Sequence, residues 1–235
     1  MHMNSVAIIQ SNYLPWKGYF DIINDVDTFI FLEDVQYTKG DWRNRNKIKT
    51  PYGIKWLTVP VHGSIRQTIS NTKIDNSRKW AEDHKKRIHH NYARSNYYNS
   101  YKDDIFKIYS QDFATISDLN IYSIRMICKL FDLQVEFRNS EDLEAQGSKD
   151  DKIIEICKMI GAKKYISGPA AKFYININKF KEAGIEVEYK DYSGYPEYDQ
   201  LWNNFNHFVS VIDTIFNCGD KTPYYIWGWR NDLKY

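Results

Sequence analysis

Gln10-Ser-Asn-Tyr-Leu-Pro-Trp-Lys-Gly-Tyr-Phe-Asp21 is the stretch on which the reading of this chain turns. Ahead of it, Val6-Ala-Ile-Ile9 is too short for a helix and too continuously apolar for a strand with one wet face. That run reads as a buried strand of a parallel sheet. Behind it, Tyr19, Phe20, Ile22, Ile23 and Val26 fall on one helical face. The loop therefore joins the carboxyl end of a strand to the amino end of a helix. Ligands of open α/β sheets lie at such a crevice, and the free N–H groups of a helix start favour anions. With Gly18 as its only glycine, the loop is neither a Walker loop nor a GxGxxG turn.

Working outward, Thr28-Phe-Ile-Phe-Leu32 reads as a second buried strand ending in Glu33-Asp34, and Asp34 at a strand end is a candidate acid–base group. Residues 36–46 are polar, aromatic and basic. If that stretch is extended, Arg43 and Arg45 project to one face and can clamp a phosphate or carboxylate, with Tyr37 and Trp42 beside them. The plain alternative is a solvated basic hairpin. Asn46-Lys-Ile-Lys49 and Ile54-Lys-Trp-Leu-Thr-Val-Pro-Val61 pair as a hairpin about the Pro51-Tyr-Gly53 turn. His62 follows that strand as a candidate general base, and 69–74 reads as a further short strand.

Asp75-Asn-Ser77 is expected to cap a helix carrying Trp80, His84, Arg87 and Ile88. Trp80 is assigned to the core and His84, one turn on, to the pocket. Helical spacing recurs over 96–110 and 116–131, so 76–132 is a helical subregion inserted in or appended to the sheet. Val135-Glu-Phe137 is then a strand, and Ser148-Lys-Asp-Asp151 starts a helix that stops at Gly161. Lys164-Tyr-Ile-Ser167, a helix over 177–183 and a strand over 185–189 complete a βαβ order. The expected fold is α/β: a mostly parallel, Rossmann-like sheet in one domain over 1–235. Ser167 and Gly168 form a second strand-end loop facing the first. A long helix over 198–216, with Asp213 among apolar neighbours, precedes an aromatic tail.

Of 235 residues, 43% are hydrophobic and the net charge is +2, so neither nucleic acid nor an acidic membrane is expected as a partner. Aromatic residues reach 16%, with 19 Tyr and 7 Trp, more than a core needs and suited to stacking on sugars or bases. The three cysteines, Cys128, Cys157 and Cys218, are widely spaced, which fits a reducing compartment and no disulfide framework. With no signal peptide and no apolar run of roughly 18–20 residues, a cytoplasmic chain without membrane insertion is expected. No zinc-like spacing occurs, so no metal is expected, and no cofactor is evident.

Gln10…Tyr13-Leu-Pro-Trp16…Gly18-Tyr-Phe20 resembles the opening signature of the WbqC-like family. Leu32-Glu-Asp-Val-Gln-Tyr37, Trp42-Arg-Asn-Arg-Asn46, Trp56-Leu-Thr-Val-Pro60, Tyr165-Ile-Ser-Gly168, and Ser210-Val-Ile-Asp213 with Asn217 and Gly219 extend the resemblance over nearly the whole chain. Ser11 departs from it, where proline is expected. The resemblance implies a context of surface-polysaccharide (O-antigen type) gene sets. Within that context the residues suggest an enzyme that modifies a nucleotide-linked amino sugar by group transfer such as N-acylation. Asp34, His62 and His84 are its candidate catalytic residues. Gln10, Tyr13, Pro15, Trp16, Tyr19, Tyr37, Arg43, Arg45, Ser167 and Gly168 are its candidate substrate-binding residues. The partner would be a sugar nucleotide, with an acyl or nucleotide co-substrate, and a homo-oligomer is compatible with the pattern. Two alternatives stand: a nucleotidylyltransferase-like enzyme, and a non-catalytic carbohydrate-binding or scaffold protein of glycan assembly.

Overall fold

In chain order the elements are β1 (Ser5–Ile9), α1 (Lys17–Asn24), β2 (Thr28–Phe31), β3 (Arg45–Thr50), β4 (Gly53–Thr58), α2 (Trp80–Tyr92), α3 (Tyr98–Lys107), α4 (Ile116–Leu130), β5 (Glu136–Asn139), α5 (Asp150–Met159), β6 (Lys164–Ser167), α6 (Ile177–Glu182), β7 (Glu186–Tyr189), α7 (Val211–Cys218) and α8 (Thr222–Ile226). Short 3₁₀ turns lie between several of them. The computed structural model describes residues 4–62, 66–202 and 204–234. They fall into two compact units that alternate along the chain. The first takes Met1–Ser11, Asp21–Val35 and Leu133–Ser193, and the second takes Asn12–Phe20, Gln36–Asp132 and Gly194–Tyr235.

The first unit is a Rossmann-like α/β layer. Its sheet runs β5-β2-β1-β6-β7, with every neighbouring pair parallel. Counted within this unit, the order is third, second, first, fourth, fifth, so the sheet reverses direction between β1 and β6. Alternation of side chains sends Val6 and Ile8 of β1 to one face. There they join Ile30, Ile154, Ile156, Cys157, Tyr165, Phe180 and Ile185 in one apolar cluster. Tyr165 and Phe180 stack in it at 5.6 Å. On the other face Phe29, Phe31 and Phe137 form a second ring cluster. The ladders at β1–β2, β2–β5 and β6–β7 each register four pairs. That between β1 and β6 registers only Ser5↔Lys164 and Val6↔Tyr165, so the two strands part toward their carboxyl ends.

The second unit carries the expected hairpin, β3 against β4 in register from Arg45↔Thr58 to Thr50↔Gly53, with Pro51-Tyr52 at its tip. It also holds the helical subregion α2, α3 and α4. The aromatic tail packs within this unit, Tyr225 on Tyr198, Trp227 on Phe131 and Trp229 on Tyr195.

Three local expectations are corrected. Residues 69–74 make isolated bridges rather than a strand. The N-cap of α2 is Lys79, without a side-chain bond, because Asp75 is engaged with Ser77 and Arg78. The helix expected over 198–216 is confined to α7: Trp202 and Asn204 have φ of 67° and 64°, which no helix tolerates, and Ser210 caps α7 through Ile212 N.

Candidate functional site

The loop that opens the chain's signature belongs to the second unit from Asn12 to Phe20. Backbone bonds hold it on two sides: Tyr13 N–H donates to Trp42 O (2.9 Å) and Val211 N–H to Pro15 O (2.9 Å). Asn46 Nδ2 donates to the carbonyls of Tyr13 (3.1 Å) and Leu14 (2.8 Å). Those bonds sustain a strained residue, since Leu14 sits at φ 40° directly before Pro15. Gly18 is needed for a different reason. A Cβ there would lie 2.3 Å from Trp16 Cζ2, so the indole rests on the bare glycine.

So held, the loop forms one wall of a cleft of about 380 Å³. Pro15 and Trp16 line it with Trp42 and Phe208. The Trp16 and Phe208 rings are 5.6 Å apart, and Phe208 is 63% exposed although apolar. Amides of Asn12, Asn46 and Asn206 and the ammonium of Lys47 complete the lining. Asn12 Oδ1 is buried without a partner among the described residues. Lys47 Nζ lies 5.5 Å and 5.1 Å from the ring centres of Trp42 and Trp56. Aromatic faces with a few amides and one cation suit a ring-bearing, anionic ligand.

On the same Trp56 ring that Lys47 approaches, the Arg45 guanidinium stacks at 4.2 Å. Tyr37 is 1% exposed, and its hydroxyl has no hydrogen-bond partner among the described residues. Burial raises its pKa, Asp41 raises it further, and Arg43 and Arg45 pull it back, so both guanidinium groups bear on the phenol. Arg43 occupies a turn ahead of β3, buried, with Nη2 3.6 Å from Asp41 Oδ2. Arg43 thus lies in a turn and Arg45 opens β3, so the two do not share one face of an extended strand, which corrects the premise of the strand-face clamp.

His84 also departs from expectation: it is 2% exposed and does not line the cleft, while Trp80 is half-buried against it and Tyr109. Its Nδ1 is 2.8 Å from Tyr13 Oη, which is 2.6 Å from Tyr109 Oη. Burial, then the nearby Arg87 charge, lowers the His84 pKa to about 4, so the ring is neutral at pH 7. His62 is largely exposed, its Nε2 3.7 Å from Asp75. Tyr19 is buried against Phe20 and does not line the cleft.

In the first unit, Gln10 and Gly168 stand just past the diverging ends of β1 and β6, and Ser167 is the last residue of β6, where the strand order reverses. Asp34 accepts from Ser140 Oγ (2.6 Å) and pairs with Lys152. Its neighbour Glu33, buried, takes both polar groups of Ser11, N–H at 2.8 Å and Oγ at 2.9 Å. The departure at Ser11 is therefore a working one, because proline has no N–H to give. Lys190, buried, is bound to Asp21 (2.8 Å) and Asp25. Burial and these two carboxylates push the nearby Tyr192 hydroxyl up.

Sequence reasoning passed over Asn12, Asn46, Lys190 and Phe208. An exposed phenylalanine and an amide beside a strained loop leave no periodic signal. Asp213, read from the sequence as an acid among apolar neighbours, needs partners once buried. It has them: Tyr92 (2.9 Å), Tyr198 (2.7 Å) and Gln200 (2.7 Å) all donate to it, and burial raises its pKa. Among the described residues no three His, Cys, Asp or Glu side chains gather as metal ligands, and no helix is long and apolar enough to cross a membrane.

The chain is 41% identical over 227 residues to Rv1507c, an uncharacterised protein of Mycobacterium tuberculosis (strain ATCC 25618 / H37Rv), covering 95% of this chain and 98% of the relative. No solved structure matches it significantly. The model of the WbqC-like protein family matches residues 10–225, from the strand end that opens the signature to the aromatic tail. The chain belongs to the WbqC-like protein family.

Proposed function

We propose that the chain is a transferase that modifies a nucleotide-linked amino sugar, by a group transfer such as N-acylation, in surface-polysaccharide assembly. The observation that carries this reading is the aromatic cleft beside the signature loop, with Lys47 in its lining and Arg45 on the Trp56 ring that Lys47 also approaches. In this reading Trp16 and Trp42 sandwich a base or sugar ring. Lys47 and Arg45 meet the diphosphate, Arg45 by its planar fork. The lining holds no carboxylate or imidazole, so the base reaches the amine from outside it. His62, open to solvent and steadied by Asp75, has that role. His84 acts as a positioning residue, fixing Tyr13 and with it the loop.

A lining without an acid–base group also favours a second reading, a carbohydrate-binding protein without catalysis. Titration calorimetry with uridine diphosphate sugars, free sugars and acyl donors separates the two. The transferase reading requires saturable binding of the sugar nucleotide. Trp16→Ala should weaken it at least tenfold and Arg45→Lys several-fold, with free sugar bound far less well. Equal affinity for free sugar and sugar nucleotide, unchanged in Arg45→Lys, overturns it.

A further inference from the structure

A second cavity, of about 440 Å³, lies in the same unit and shares no lining residue with the aromatic cleft. It is built where Arg94-Ser95-Asn96, between α2 and α3, faces residues 198–202, 204 and 205. Its volume is within the roughly 300–1,000 Å³ typical of small-molecule sites.

The floor of the cavity is prearranged. Asp213 holds Tyr198 and Gln200 as described above, and Gln200 Oε1 accepts from Asn206 N–H (2.9 Å) and Lys49 Nζ (2.8 Å). Trp202 is kept in its left-handed conformation by two bonds: Nε1 donates to Asn91 O (3.1 Å), and its own carbonyl accepts from Lys49 Nζ. A tryptophan at positive φ is costly and persists only where its surroundings fix it. The cost places the indole and Phe205 as apolar surface inside a rim of amides.

Polar capacity is left over at this rim. Ser95 is 7% exposed, and its Oγ has no partner among the described residues. The side chains of Asn96 and Asn204 and the charges of Arg94 and Asp199 are exposed at the rim. One cation and one anion cancel, so the lining attracts neither sign. Amides and a hydroxyl around aromatic faces match a ring with hydroxyls on its edge and C–H groups on its face.

We propose that this cavity is a separate binding site of the chain for an uncharged polyhydroxylated ring, a free hexose or a hexosyl unit of a glycan. The proposal does not rest on the reading of the cleft. Ser95 Oγ gives and accepts a hydrogen bond with a sugar hydroxyl, and Trp202 and Phe205 carry the ring face.

The test is titration calorimetry of the full chain with methyl α-glucoside, N-acetylglucosamine and glucose 6-phosphate, on wild type, Ser95→Ala, Asn96→Ala and Trp42→Ala. Melting temperatures are recorded without sugar. At least one neutral sugar should bind saturably, and Ser95→Ala should weaken it roughly five- to tenfold, the worth of one hydrogen bond. Trp42→Ala should leave it unchanged. Because Ser95 Oγ is unpartnered without ligand, Ser95→Ala should keep or raise the melting temperature. No saturable neutral sugar up to high millimolar overturns the site. So does tighter binding of glucose 6-phosphate, or loss of sugar binding in Trp42→Ala but not in Ser95→Ala. A fall in melting temperature in Ser95→Ala with unchanged sugar affinity makes the hydroxyl structural and also overturns it. Failure of the cleft reading is seen on another ligand, the sugar nucleotide, and on Trp16→Ala, so the two outcomes are separable.

Discussion

Gly18 and Trp16 explain each other. With the indole only 2.3 Å from where a Cβ would be, Gly18→Ala must push the ring aside or shift the start of α1. The expected cost in chemical denaturation is about 1–3 kcal/mol, as for other overpacked sites. In a Trp16→Ala background the same change should cost little, and a double-mutant cycle reads the difference. A second residue-scale prediction follows from His84. Its folded pKa of about 4 lies below the 6.5 of the free side chain. Between those values the unfolded chain binds the extra proton. The stabilisation is whole above pH 6.5 and drains away as pH falls toward 4, amounting at the limit to about 3 kcal/mol. Wild type minus His84→Gln, measured by urea unfolding from pH 4 to 8, should show that slope. A flat difference would mean that the imidazole is not sealed.

At the scale of elements, the loop and its support make a unit. Asn46→Ala leaves the buried carbonyls of Tyr13 and Leu14 without their donor. The expected loss is about 2–3 kcal/mol by denaturation, together with weaker binding of any ligand that needs Pro15 and Trp16 in place. Near-wild-type stability and affinity would show that Leu14 holds its conformation unaided. Elements were legible where one local pattern decided them. The apolar run at β1, the hairpin turn at Pro51-Tyr-Gly53 and the helical spacing of α2 to α4 all emerged as read. The stretch 198–210 did not, because its phenylalanines mimic a helix face. What breaks the helix there is the positive φ of Trp202 and Asn204, set by Lys49, Asn91 and Asp213, residues remote in sequence. For the same reason half of the cleft was legible. Pro15 and Trp16 announce themselves in the signature, whereas Phe208 and Asn206 reach it by a fold no periodicity encodes.

On the scale of the whole molecule, the parallel α/β sheet was foreseeable from strand–helix alternation, but the partition of the chain was not. Asn12–Phe20 joins Gln36–Asp132 through main-chain bonds such as Tyr13 N–H to Trp42 O, and main-chain bonds leave no mark on side-chain pattern. The chain passes from one unit to the other five times. Such weaving bears on how the protein tolerates being cut. A break at the exposed hairpin tip, Tyr52, gives a piece with β1, β2 and β3 and a piece with β4, β5, β6 and β7. The centre of the five-stranded sheet then comes from one piece and its flanks from the other, and the hairpin is shared as well. Neither piece holds a complete layer, so each should be insoluble when expressed alone. Co-expressed, they should complement one another and copurify as one particle with the circular-dichroism spectrum of the intact chain. Recovery of either piece as a soluble monomer would refute this. The protein is, in that sense, a ready-made split reporter: its integrity depends on which segments meet, and not on the continuity of the peptide that joins them.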